Sequence, residues 1–271
     1  GNGVYVYLDP YEGSKIAVAE CARNLVCSGA VPLGTTDNLN FGNPHNPELF
    51  YQLKESVRGL AEGCSVFNAP VTGGNVSLYN QNPGGAIDPT PTIAMVGLIE
   101  KKEHITTQWF KDSGDEILVL GNVLDPNDPN LGLGGSAYLQ VKHGIKNGTP
   151  PHCDLQFEKN MQDALLQFIR SGWVKSAHDC SEGGLAVCLA ECCFSKDIAL
   201  NTPRFIGAEV DLTSCPSGRV DALLYGETQS RVLISATHEN AAKILAEAKR
   251  LSVPALAIGR VCSGEKEAQS L

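Results

Sequence analysis

The sequence predicts an α+β chain of mixed sheets with helices on one face, divided into two domains, and three observations carry that expectation. Short apolar runs that read as strands, such as Ile93 to Ile99 and Asp115 to Leu120, alternate with stretches of helical period such as Leu155 to Ser171. Between the first two of these runs, Lys101 to Gly114 turns polar without becoming a long flexible linker, which places a boundary near residue 112. At 271 residues the chain also exceeds what one ordinary core needs. The expected domains are therefore 1–112 and 113–271.

In chain order, Val4 to Leu8 reads as a strand entered almost at once, and with no methionine ahead of it the sequence looks like a piece of a longer one. Ser14 can cap the next helix, whose apolar residues Ile16, Ala19, Ala22, Val26 and Cys27 keep a helical period up to Gly29. Lys15 in its first turn either reaches a phosphate or stays solvated.

The stretch from Gly34 to Tyr79 is the most informative. Two small, amide-rich segments, Thr36 to Pro44 and Val71 to Ser77, each follow an apolar run and read as binding loops at one sheet edge. Between them Glu48 to Glu62 reads as a helix with Phe50, Leu53, Val57 and Leu60 on one face and Gly63 as its stop. Gly73 and Gly74 let backbone N–H groups approach an anionic oxygen, Asn75 offers a neutral hard oxygen, and Ser77 adds a hydroxyl on the same side. With the carboxylate of Asp37 the set can hold a hydrated Mg2+ completed by phosphates. Spacing alone equally allows a tight turn at Gly-Gly-Asn and an ordinary turn residue at Asp37.

Asn80 to Thr92 reads as a surface loop before the strand Ile93 to Ile99, and Leu124 to Gly135 as another, with Gly134-Gly135-Ser136 poised to hold an anion at the start of a helical run. The helix Leu155 to Ser171 is capped by Asp154, ended by Gly172, and turns Met161, Leu165, Phe168 and Ile169 inward. A strand from Val174 to His178 runs into Asp179 to Gly184 and a helix to Phe194, which suits either a metal or phosphate contact or a satisfied His-Asp pair beside a glycine turn. Glu227 to Ser230 lies between a short helical run and the strand Arg231 to Ser235. A helix from Glu239 to Leu251 and a strand from Ala255 to Val261 complete the chain.

Bulk properties exclude several functions. A net charge of −9 argues against a nucleic-acid or membrane surface, which needs clustered Lys and Arg. No apolar run approaches the ~20 residues of a membrane span and nothing at the start resembles a signal peptide, so the chain reads as cytoplasmic. None of the ten cysteines forms a Cys-x-x-Cys pair, and they read as buried reduced thiols with no structural zinc.

Asp9 to Glu20, Thr36 to Pro44 and Thr72 to Tyr79, followed in order by His178 to Leu185 and Gly226 to Arg231, resemble the phosphoribosylformylglycinamidine synthase family over almost the whole chain. The resemblance is to the second half of its synthetase subunit. It implies half of an aminoimidazole-ribonucleotide-synthetase-like fold and an ATP- and Mg2+-dependent ligase of purine biosynthesis that converts formylglycinamide ribonucleotide and ammonia to formylglycinamidine ribonucleotide. It implies that Asp37 and Gly74 contact ATP, Asn75 binds Mg2+ and Ser77 touches the ribonucleotide, while the catalytic histidines belong to the absent first half. Glu227 and Gln229 stay outside the catalytic set. The implied partners are the first half, a glutaminase subunit and a small accessory subunit. Without the sister domain the first sheet would expose an apolar face, and a homodimer through it is expected. Two alternatives are an ADP-holding module without turnover and a homodimeric relative such as aminoimidazole ribonucleotide synthetase or selenophosphate synthetase.

Overall fold

The computed structural model describes residues 1–194, 205–215 and 219–263. Of the second domain expected over 113–271, residues 195–204, 216–218 and 264–271 lie outside the described residues.

The chain opens with helices α1 (Gly3–Leu8) and α2 (Pro10–Cys27). The expected strand at Val4 to Leu8 is thus a helix. The side chain of Asn2 caps it by accepting from the Val4 and Tyr5 amides, and Tyr5 and Val6 are buried, so capping and packing override the β preference of its residues. Asp9 and Pro10, rather than Ser14, start α2; Ser14 is fully buried inside it.

Strand β1 (Val31–Asn40), helix α3 (Pro47–Val66) and strand β2 (Val71–Ser77) follow. Gly63 does not stop α3. A Cβ at Gly59 would strike the Tyr11 carbonyl and one at Gly63 would strike Val18, so the two glycines set the close approach of α3 to α2. The buried stripe is Glu55, Ser56, Gly59, Leu60, Gly63 and Cys64, while Phe50 and Val57, expected inside, are exposed.

Both expected binding loops are largely strand. β1 and β2 pair in parallel, and β5 (Thr90–Leu98) pairs antiparallel on the other side of β1, giving the order β2-β1-β5. Two-residue strands β3 (Gln81–Asn82) and β4 (Gly85–Ala86) form a hairpin in the polar segment before β5. Alternation gives the sheet two unlike faces: Leu39, Ile93 and Met95 pack toward α2 and α3, whereas Thr36, Asn38, Thr92, Ala94, Val96 and Leu98 face outward and are exposed.

The second domain is built on an antiparallel sheet in the order β7-β9-β6-β10-β8, formed by β6 (Glu116–Gly121), β7 (Ser176–Asp179), β8 (Gly207–Val210), β9 (Arg231–Ala236) and β10 (Ala255–Cys262). Helices α4 (Ala137–His143), α5 (Leu155–Arg170), α6 (Gly184–Cys192), α7 (Val220–Tyr225) and α8 (His238–Arg250) surround it. In contrast to the first sheet, helices cover both faces. Leu118, Leu120, Val232 and Ile234 pack on Met161, Leu165 and Phe168 of α5 and Ile244 of α8. Ile117, Val119 and Leu233 pack on Leu185, Cys188 and Cys192 of α6. Val26 and Cys27 of α2 join the first of these cores, so the domains share apolar packing. All ten cysteines are free thiols, most of them buried, and among the described residues no group of His, Cys, Asp and Glu is arranged to hold a metal ion.

Candidate functional site

The four residues singled out in the sequence lie on the paired strands β1 and β2. Parallel register sets Asp37 beside Gly74, Asn38 beside Asn75 and Asn40 beside Ser77. Side chains alternate along a strand, so Asp37 and Gly74 belong to the face toward the helices while Asn75 and Ser77 belong to the outer face. Asp37 and Asn75 therefore start from opposite faces of the sheet, an arrangement that does not favour the shared Mg2+ pair suggested by spacing. Asn75 instead lies with Asn38, donating from Nδ2 to Asn38 Oδ1 at 3.0 Å. Ser77 exchanges hydrogen bonds with Asn80, whose Nδ2 also donates to the Ser77 carbonyl at 2.8 Å.

Gly74 has a packing reason as well as a ligand-binding one. A Cβ built there would fall on Oδ1 and the carbonyl oxygen of Asp37, so any other residue at 74 would displace the Asp37 side chain. Half-buried in that position, the Asp37 carboxyl is raised above the ordinary aspartate value by desolvation. Toward a divalent cation the outer face offers neutral amide and hydroxyl oxygens from Asn38, Asn75 and Ser77. That donor set fits a hydrated Mg2+ whose charge is met by ligand phosphates, and does not fit an ion held by the protein alone.

Lys15 is turned inward, with Nζ 3.0 Å from Glu12 Oε2 and 5.3 Å from the Tyr11 ring. Burial opposes its charge, but the hydrogen bond and the negative charge of Glu12, with smaller contributions from Cys153 and Tyr11, together raise its pKa.

The glycine turns of the second domain, read as possible anion sites, already hold a carboxyl group of their own. Glu227 Oε1 accepts the Ala137 N–H at the start of α4 (2.8 Å) and the Gly183 N–H at the start of α6 (2.9 Å), and Oε2 accepts the Tyr5 hydroxyl. Asp179 accepts the hydroxyl of Ser181 and lies 3.9 Å from Arg23 Nε, while His178 Nε2 pairs with Glu191 at 2.8 Å. The His-Asp segment is thus satisfied within the protein. A cavity of about 420 Å3 beside α4, walled by Leu131, Leu133, Leu139 and Ile145, contains none of the four candidate residues.

Sequence reasoning missed Arg23. Fully buried on α2, it pairs with Glu158 of α5 at 2.8 Å and donates to Gln229 Oε1 at 3.2 Å. Burial opposes its charge, yet Glu158, Asp179 and Glu20 hold the guanidinium ionised. An arginine in the middle of an apolar helical period was the available signal, because such a charge needs a buried partner.

The AIR synthase related protein, N-terminal domain family matches residues 1–99, and the AIR synthase related protein, C-terminal domain family matches residues 112–270. The chain belongs to the AIR synthase related family. Among curated proteins it is 44% identical over 270 residues to the phosphoribosylformylglycinamidine synthase subunit PurL of Anaeromyxobacter dehalogenans, covering 99% of this chain and 34% of the relative. The PurL subunit of Symbiobacterium thermophilum is 46% identical over 260 residues, covering 96% of this chain and 32% of the relative. This AIR synthase related chain spans about a third of the length of the curated relatives it matches.

Solved structures share its fold at low identity. T. maritima PurL complexed with FGAR superposes with a TM-score of 0.71 at 19% identity, covering 95% of this chain and 40% of that one. T. maritima PurL complexed with ATP gives 0.67 at 20%, covering 95% and 38%. A chain of the HypE-HypF complex gives 0.68 at 17%, covering 93% and 78%. The two-domain architecture is thus that of AIR synthase related proteins. No helix among the described residues is long and apolar enough to cross a membrane.

Proposed function

We propose that this chain is one wall of a phosphoribosylformylglycinamidine synthase, the ATP-dependent ligase that converts formylglycinamide ribonucleotide and ammonia to formylglycinamidine ribonucleotide in the cytoplasm. The observation that carries the reading is 44% identity to a PurL subunit across 99% of the chain. A glycine-bearing, amide-rich strand pair with one face open to solvent supports it. The solved PurL structures with ATP and with FGAR name the ligands such a fold accepts in that relative.

In this reading Asn75 faces the metal and Ser77 the ribonucleotide on the outer face, and the backbone at Gly74 lies against the nucleotide. Asp37 meets the nucleotide from the helix side, away from the metal. Bound Mg2+ would neutralise charge on the transferred phosphoryl group, and the protein's share of the work is positioning. Asn38 and Asn80 hold Asn75 and Ser77 in place. No nucleophile is required of this chain, and the general acid and base are assigned to the first half. A glutaminase subunit would supply ammonia, with a small accessory subunit completing the assembly. The structure of PurLQS from Thermotoga maritima names such an assembly for that relative.

The 1–112 and 113–271 division belongs to the same proposal. So does the outer sheet face, where Val96 and Leu98 are exposed, as the surface that the sister domain covers. Alone, the chain would self-associate there as a two-fold dimer; sedimentation as a monomer at micromolar concentration would contradict that.

The deciding experiment measures ADP release from Mg-ATP, formylglycinamide ribonucleotide and ammonia by the chain alone and mixed with the separately expressed first half. Turnover is expected only in the mixture, and turnover by the chain alone would overturn the assignment of the acid and base elsewhere. In the mixture, Asn75→Ala should weaken Mg2+-dependent nucleotide binding by roughly tenfold, the loss of one charge-assisted contact. Equal affinity of variant and parent with Mg2+ would remove the metal assignment.

A further inference from the structure

We propose that Glu227 is a positioning residue which joins the two domains by hydrogen-bond geometry, and that its negative charge is dispensable. It goes beyond the reading above, which gives Glu227 no ligand contact.

Glu227 is 1% exposed, so no solute reaches it in this structure. Each carboxylate oxygen has its own task. Oε1 accepts two backbone amides, Ala137 at 2.8 Å and Gly183 at 2.9 Å, that open different helices of the second domain. Oε2 accepts the hydroxyl of Tyr5, on α1 of the first domain. The backbone of the same residue is fixed too, its N–H donating to the Gly132 carbonyl at 2.8 Å. One position later but one, Gln229 accepts from Arg23 of α2, so residues 227 and 229 both grip the first domain. Their base is rigid, because buried Arg231 donates to the carbonyls of Gly226 (2.7 Å) and Val123 (2.8 Å).

Among the described residues no lysine, arginine or histidine bonds the carboxylate; its partners are two amides and a phenol. Burial disfavours the ionised form, and Glu182 adds a smaller repulsion rather than attraction. A glutamine side chain has the same shape. Its Oε1 can accept both amides and its Nε2 can donate to the Tyr5 oxygen, so the whole junction survives without a charge. A carboxylate that served as a metal ligand or general base would have no such substitute. The chemistry therefore separates the two roles.

The test is residue-resolved amide hydrogen exchange on the full chain and its Glu227→Gln, Glu227→Ala and Tyr5→Phe variants, with no substrate present. Its outcome consequently does not depend on whether the synthase reading holds. In Glu227→Ala the Ala137 and Gly183 amides should exchange roughly tenfold or more faster than in the parent, while Leu118 and Leu233 in the second sheet stay protected. Glu227→Gln should restore both amides to within about threefold of the parent. Tyr5→Phe should leave both amides slow and speed exchange only in α1. If glutamine exchanges as fast as alanine, the charge is required and the proposal is wrong. Amides that stay slow in alanine would also overturn it, because Glu227 would then not be their acceptor. Should Glu227→Ala fail to fold, the glutamine and phenylalanine variants still decide: lost protection of Gly183 in either one refutes the assignment.

Discussion

The two sheets of this molecule are opposites. The second is covered by helices on both faces, and its central strand β6 buries Ile117, Leu118, Val119 and Leu120 completely. Among the described residues the first is covered on the side of α2 and α3, and its outer face, which carries Asn38 and Asn75, leaves Val96 opposite Gly34 71% exposed. A sheet buried on both sides can use nearly continuous apolar runs, whereas one that keeps a face open carries its binding groups there. The candidate ligand contacts accordingly fall on the sheet that is stabilised from one side, and the bulk of the apolar core falls on the other.

This contrast can be broken most directly in the second core. Phe168→Ala, which empties a fully buried position against the sheet, should cost about 3–5 kcal/mol in urea unfolding. Val96→Ser on the open face of the first sheet should change the isolated chain's stability by about 0.5 kcal/mol or less. Comparable losses from the two would mean that the outer face is already covered, for example by a second copy of the chain.

The junction between the sheets is the next test. Arg23→Met leaves Glu158 and Asp179 without the guanidinium between them in a buried seam, and the expected loss is about 3–5 kcal/mol. A cost below about 1 kcal/mol would show that the carboxylates of the seam are relieved by protonation or water instead.

A smaller effect should follow pH. Burial raises the Glu227 carboxyl above its ordinary value of 4.5, so the folded chain binds that proton more tightly than the unfolded one. Its contribution favours folding below the unfolded value and is lost as pH rises through the folded one. Glutamine cannot ionise, so the stability of Glu227→Gln relative to the parent should grow as pH rises from about 4.5 toward neutrality. Chemical denaturation at pH 4 and pH 7 reads this, and an equal difference at both would mean that the buried charge costs nothing. The raised groups Glu20 and Asp128 are present in both proteins and cancel in the comparison.

Legibility follows the same division. β6, β9 and α5 stood out because a strand buried on both faces is a continuous apolar run, and because Asp154 and Gly172 punctuate a strongly amphipathic helix. β1 and β2 were hidden as loops, since an open face lets polar residues and glycines occupy strand positions that only a ladder partner identifies. The helix α1 was hidden by valines and tyrosines that favour strands, and its cap at Asn2 decides otherwise. The stop at Gly63 misread a glycine whose task is helix-to-helix contact.

By itself the sequence determined the family resemblance, the two-domain α+β plan, the inward face of α5 with Met161, Leu165, Phe168 and Ile169, and the four candidates on β1 and β2. Local pattern suffices for these because burial period, capping and motif wording are properties of neighbouring residues. Only the tertiary structure decided that Asp37 and Asn75 point to opposite faces, since that depends on strand alternation and register with a partner strand. It alone also placed Glu227 between two helix starts and a tyrosine of the other domain, and Arg23 against Gln229, 206 residues away. Such contacts are set by how separate elements close around one another, and no local pattern in the chain encodes them.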